Sequence, residues 1–137
     1  MVQIINRQKK HKIREDHFRR LLRKLISFYP LPEAEVSLVF TGNALIRRLN
    51  RQFRKKDRVT DVLSFPVRER GADGHYYLGD IIISVPRAFD QCGRKKTCLE
   101  KELTRLTIHG FLHLLGHDHG PRMDKEEEKL KALFGLE

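Results

Sequence analysis

No apolar run in this chain approaches the ~20 residues a membrane span needs. The opening Met1-Val2-Gln3-Ile4-Ile5-Asn6 is too short for a signal peptide and lacks the basic lead-in of one, so the expected compartment is the cytoplasm. Cysteine is scarce. Cys92 and Cys98 are separated by five residues, a spacing of no common redox or zinc pair, and two reduced, partly buried thiols are expected. There are no internal repeats, no low-complexity tract and no linker, and 137 residues fit one domain, residues 1–137. Acidic residues are short in the first half: residues 1–70 carry eighteen Lys/Arg against seven Asp/Glu, and residues 71–137 carry ten against eleven. The net charge of +10 therefore lies wholly in the first half. A surface so lopsided suggests a polyanion as partner, nucleic acid or an anionic membrane.

What is present reads as alternating strands and helices. Val2–Asn6 is a first strand and Arg7–Lys12 a basic loop. From Ile13 to Phe28 the residues Phe18, Leu21, Leu22, Leu25 and Ile26 recur at helical spacing, with Arg14, Arg19, Arg20, Arg23 and Lys24 between them, until Pro30 and Pro32. Glu35–Phe40 is a strand, and Thr41-Gly42-Asn43 a turn. Leu45, Ile46, Leu49 and Phe53 mark the inner face of a second helix whose outer face is Arg47, Arg48, Arg51 and Arg54. Val59–Phe65 is a strand ended by Pro66, and Arg68–His75, with Gly71 and Gly74, a loop or hairpin tip. Leu78–Val85 is the most hydrophobic strand, and its near-continuous apolar run predicts burial on both faces. Pro86 starts a short helix. Thr97 and Glu100 form a capping box that starts a helix over Cys98–Leu115, with Leu99, Leu103, Leu106, Phe111 and Leu112 inward. Asp124–Glu127 start a last helix with Leu130, Leu133 and Phe134 inward. The expected fold is α+β: one small mixed, mostly parallel, four-stranded sheet packed with about five helices.

Four of the seven histidines fall within His109–His119, at the end of the long central helix. Residues i and i+4 share a helix face, so His109 and His113 can present two imidazoles to one ion. Gly116 lets the chain turn left-handed at low steric cost and bring back a third histidine, His119 or its rival His117. Three neutral imidazoles leave a fourth position on zinc for water, the mark of a catalytic site, whereas a structural zinc wants a fourth protein ligand. Cys98 is the cysteine that folding could bring near. The spacing His-x3-His-x2-Gly-x2-His equals that of the metzincin proteases. Those enzymes need a glutamate directly after the first histidine as general base. This chain has Gly110 there, which disfavours peptide hydrolysis by that route.

The stretch His109–His119 resembles the His-Gly-x-Leu-His-Leu-x-Gly-x-Asp-His signature of the YbeY proteins, bacterial metal-dependent endoribonucleases of ribosomal RNA maturation. Leu49–Asp57 running into Thr60–Pro66, and Leu78–Ser84, are similar to two further segments of that family. The resemblance covers about Val36 to Phe134. The family commonly has tyrosine at the position of His117. The resemblance implies His109, His113 and His119 as ligands of one zinc or another divalent transition metal ion. It implies Arg54 as a functionally important arginine beside them; Arg54 and His113 are the residues expected to be catalytic.

A bound metal ion can polarise a phosphoryl oxygen or lower the pKa of water to about 7. Arginine holds phosphate oxygens through two N–H donors, the role expected of Arg54. Arg47, Arg48, Arg51, Arg54, Lys55, Lys56 and Arg58 would track a phosphate backbone without reading sequence. Tyr76, Tyr77 and Phe65 are candidates to stack on bases. Asp118 and His117 are candidates to orient a ligand histidine, with capping of the turn the alternative for Asp118, and Asp61 and Asp80 are candidates to reach the site. The attacking oxygen is either water or the RNA's own 2′-hydroxyl. The reading is a single-strand-favouring endoribonuclease of 16S ribosomal RNA maturation and ribosome quality control. Its expected partners are ribosomal RNA, the small ribosomal subunit and its assembly factors, with no membrane. Two alternatives stand beside it: a metzincin-like metallopeptidase or other small-substrate hydrolase, and a non-catalytic zinc-stabilised ribosome-binding factor.

Overall fold

The computed structural model describes residues 1–29, 34–116 and 120–133. Pro30, Pro32 and Phe134 lie outside the described residues, as do three candidate site residues, His117, Asp118 and His119. The chain runs β1 (Val2–Asn6), α1 (Glu15–Ser27), β2 (Ala34–Thr41), α2 (Asn43–Arg54), β3 (Val62–Arg70), β4 (Tyr76–Ser84), α3 (Val85–Gln91), α4 (Lys96–Leu114) and α5 (Pro121–Leu133). The strands form one sheet in the order β1-β2-β4-β3. β1 pairs β2 and β2 pairs β4 in parallel, while β3 lies antiparallel on β4. This is the mixed, mostly parallel sheet with five helices expected of the sequence.

β4 shows why its sequence is apolar from Ile81 to Ile83. Ile81 and Ile83 join the larger core with Phe18, Leu22, Phe40 and Phe111, while Ile82 turns to a smaller cluster with Ile46 and Leu63. An interior strand covered on both faces has no polar side to present. Helix α4 is buried almost all round, with ten buried residues from Leu99 to Leu114. Two of these are polar, Thr104 and Thr107. Their hydroxyls donate to the carbonyls of Glu100 (2.7 Å) and Leu103 (2.8 Å), so neither leaves a buried donor unmet.

Several local expectations give way to tertiary structure. β3 continues through Pro66 to Arg70, because β3 is the outer strand and an edge proline forfeits no ladder bond on its open side. Its pairing slips between Pro66 and Glu69, where Arg68 takes φ 49°. β3 also starts at Val62 rather than Val59, with Asp61 Oδ1 accepting from the Val62 amide at 2.8 Å. Val85 belongs to α3, not to β4; Ser84 caps that helix through the Arg87 amide at 3.3 Å. The capping box does not form. α4 starts at Lys96 with no side-chain cap, and Glu100 accepts from Arg14 Nη1 at 3.1 Å instead. The last helix begins at Pro121 rather than Asp124. Leu133 is half exposed and Phe53 is 57% exposed, so neither is a core residue.

Candidate metal centre

His109 and His113 stand one turn apart at the end of α4, both half-buried, with their Nε2 atoms 3.2 Å apart. Tetrahedral zinc ligands at about 2.0–2.1 Å from the ion sit roughly 3.3–3.4 Å from each other, so this pair has the spacing of two imidazoles on one ion. Gly116 takes φ 94° and its amide bonds the His113 carbonyl at 3.0 Å, the left-handed helix end anticipated from its place in the motif. His119, His117 and Asp118, expected to follow that turn, lie outside the described residues. Among the described residues no group of three His, Cys, Asp or Glu side chains converges. Cys98 does not approach: its thiol donates to the Cys92 carbonyl at 2.7 Å, about three turns back along α4.

The histidine pair is held from behind by a residue the sequence did not single out. His109 Nδ1 lies 3.0 Å from Glu127 Oε1 on α5. The carboxylate can only accept, so Nδ1 carries a proton, and in the neutral ring it is Nε2, facing His113, that has the lone pair. The same hydrogen bond holds the Glu127 carboxyl below the usual carboxylate range, against the desolvation that would raise it. Spacing alone could not reveal Glu127, because it is 18 residues from His109 and reaches it only through the packing of α5 on α4.

Gly110 packs where a peptidase of this spacing would place its base. Its carbonyl accepts from Ser64 Oγ at 3.0 Å, and a Cβ would lie 2.7 Å from Ile81 Cγ2 and 3.1 Å from Ser64 Oγ. Position 110 therefore faces the sheet, with no space for a carboxylate.

The histidines open into a groove of about 1120 Å³ between α4, β3 and the end of α2. Arg54, Lys56 and Arg58 line one wall, and Arg68 and Arg105 also border it. Arg54 Nη2 donates to the Ser64 carbonyl at 2.7 Å, and its guanidinium carbon is 5.8 Å from the Phe65 ring centre. Of the other expected phosphate contacts, Arg51 and Lys55 are exposed but outside the groove lining, as is Arg48. Arg47 is paired with Asp57 (Nε–Oδ1 2.8 Å). Arg68 and Arg105 were not anticipated; Arg105 holds Glu102 through two bonds of 2.8 and 2.9 Å. Asp61 does border the groove, with Oδ2 accepting from Gln91 Nε2 at 3.2 Å. Asp80 does not: it alternates with Ile81, which touches Gly110, and so projects from the opposite face of β4. Buried Asn50 also lines the groove, and its Nδ2 donates to the Arg58 carbonyl at 3.0 Å, pinning the loop that carries Lys56 and Arg58. Tyr76 is half-buried against the core, and Tyr77 hydrogen-bonds Asp73, so neither borders the groove.

Fold and site together define a class: a small mixed-sheet α+β domain whose central helix ends in two convergent imidazoles, set in an arginine-rich groove. The family description Endoribonuclease YbeY matches residues 3–134. The chain belongs to the YbeY family. Endoribonuclease YbeY of Geobacillus kaustophilus (strain HTA426) is 42% identical, the match spanning 85% of this chain and 84% of that protein. Its counterpart in Aquifex aeolicus (strain VF5) is 39% identical across 95% of this chain and 85% of that protein. The solution structure of TM1509 from Thermotoga maritima matches with a TM-score of 0.60 at 27% identity, covering 98% of this chain and 90% of that one.

Proposed function

We propose that this chain is a metal-dependent endoribonuclease, with His109, His113 and His119 holding one zinc or other divalent transition metal ion. The observation that carries this reading is the meeting of the His109 and His113 Nε2 atoms, 3.2 Å apart, in the same groove as Arg54. When bound there, such an ion supplies Lewis-acid activation of a phosphoryl oxygen and of water. Glu127 fixes the tautomer of His109 so that Nε2 is the ligand atom. Arg54 spends one N–H on the Ser64 carbonyl, which aims the guanidinium, and has others left to grip phosphate oxygens as negative charge builds on them. Lys56 and Arg58 extend that grip along the strand without reading bases. Asp61 is occupied by the Val62 amide and Gln91, so its part is to shape the groove wall. The absence of space at Gly110 counts against the peptidase alternative.

The substrate of this reading is single-stranded ribosomal RNA precursor. Its setting is 16S ribosomal RNA maturation and ribosome quality control at the small subunit, in the cytoplasm, as the family resemblance implies. No helix among the described residues is long and apolar enough to cross a membrane.

The test uses purified protein, with its metal quantified, incubated with ribosomal RNA precursor beside His113→Ala and Arg54→Ala. The intact chain cuts the precursor. His113→Ala loses both metal and cleavage, while Arg54→Ala keeps its metal and loses cleavage by roughly 100-fold or more. Equal cleavage by all three proteins would trace the activity to a contaminating nuclease and overturn the assignment. Unchanged cleavage by Arg54→Ala alone removes Arg54 from the mechanism.

A further inference from the structure

Phe53 has the spacing of a core residue on α2, yet it is the most exposed aromatic among the described residues, at 57%. A single exposed phenylalanine is ordinary on a protein surface, so its exposure alone means nothing. Its place does. The Phe53 ring meets that of Phe65 at 5.4 Å and 70°, edge to face, which leaves at least one broad face of Phe53 clear of Phe65. Phe65 in turn carries the Arg54 guanidinium at 5.8 Å. Arg54 lines the histidine groove and is bonded to Ser64, the neighbour of Phe65. Arg54, Phe65 and Phe53 thus run as one continuous row from the groove out over its wall. Exposed Arg54 follows Phe53 in the chain and carries the row into the groove.

From this row we infer that Phe53 is a nucleobase-stacking subsite for the RNA strand where it leaves the histidine groove past Arg54. The inference rests on the endoribonuclease reading and adds to it where the strand goes. An exposed aromatic ring in a row with an arginine guanidinium matches single-stranded nucleic acid on both counts: π faces for the ring, phosphate for the guanidinium. Phenylalanine has no polar atom with which to read a base edge, so the subsite accepts any base. A folded protein partner would call for a larger apolar patch than this one ring.

The experiment exploits the absence of tryptophan from the chain. Phe53→Trp places one indole at the subsite of the full-length protein, and its fluorescence is titrated with single-stranded oligoadenylate and, separately, with inorganic polyphosphate. Oligoadenylate quenches the indole, whereas polyphosphate, which has charge but no bases, does not. Phe53→Ala weakens oligoadenylate binding by about tenfold without lowering the melting temperature, and Phe53→Tyr restores it. An indole that responds equally to both polyanions, or a Phe53→Ala protein that binds oligoadenylate like the parent, overturns the subsite. Binding is read without cleavage, so the two readings fail separately. A parent protein that stacks oligoadenylate but never cuts precursor supports the subsite and overturns the nuclease. A cutting protein indifferent to Phe53 does the reverse.

Discussion

At the scale of single residues, position 110 has no room for even a methyl group. An added Cβ would sit 2.7 Å from Ile81 Cγ2, a β-branched side chain on an interior strand that cannot swing aside. Alanine at this helical position would otherwise gain about 1 kcal/mol of helix propensity. Overpacking costs about 1–3 kcal/mol, so Gly110→Ala is expected to be destabilising by up to about 2 kcal/mol, measured as a lower urea midpoint at unchanged slope. The absence of the peptidase glutamate was legible in the motif; the steric reason for it was not, because Ile81 and Ser64 are brought to Gly110 only by the sheet. Glu127 makes the same point. Removing its charge while keeping its shape, Glu127→Gln, should lower metal affinity by roughly 10–100-fold. A chelator competition titration checks this, and an affinity equal to the parent's would leave Glu127 with no part in orienting His109.

At the scale of elements, α2 and the loop after it decide which cations reach the groove. The helix ends on Lys55 in the left-handed region, φ 57° and ψ 33°, with the Lys55 amide on the Asn50 carbonyl. The Lys56 amide also bonds that carbonyl at 3.2 Å. A β-carbon is unfavourable in that conformation, and glycine is the usual residue there. Lys55→Gly should therefore raise stability by up to about 1 kcal/mol, read as a higher melting temperature. A lower one would mean that the lysine side chain contributes more than its backbone costs. The helical period of Leu45, Ile46 and Leu49 revealed α2, and the apolar run revealed β4, because each pattern reports burial against a neighbouring layer. Pro66 and the Thr97–Glu100 box misled for one reason: both are local signals, overruled by the edge position of β3 and by the long-range pairing of Glu100 with Arg14.

At the scale of the whole molecule, His17 ties α1 to α4 across 87 residues, with Nε2 3.0 Å from Thr104 Oγ1. Burial pulls its pKa below the ordinary value of about 6.5, with Arg14 and Arg20 adding to the effect and Glu100 opposing it. The folded protein thus favours the neutral ring, and the unfolded chain binds more protons below about pH 6.5. Its contribution to stability is complete above that pH and is lost as pH falls from there toward the lowered folded value. Urea unfolding at pH 7.5 and 5.5 should show a smaller acid loss for His17→Gln than for the parent; equal losses would mean His17 does not sense pH. The sequence by itself determined the fold class, the central helix, the paired histidines at its end and the basic first half. Periodicity, composition and i,i+4 spacing are properties of short stretches and of whole-chain sums. Only the tertiary structure decided that Glu127 backs His109, that Gly110 is sealed against Ile81, and that Arg54 rather than Arg47 lines the groove. It also decided that Phe53 faces outward. Those outcomes depend on which layers meet, and contacts between residues far apart along the chain leave no periodic trace in it.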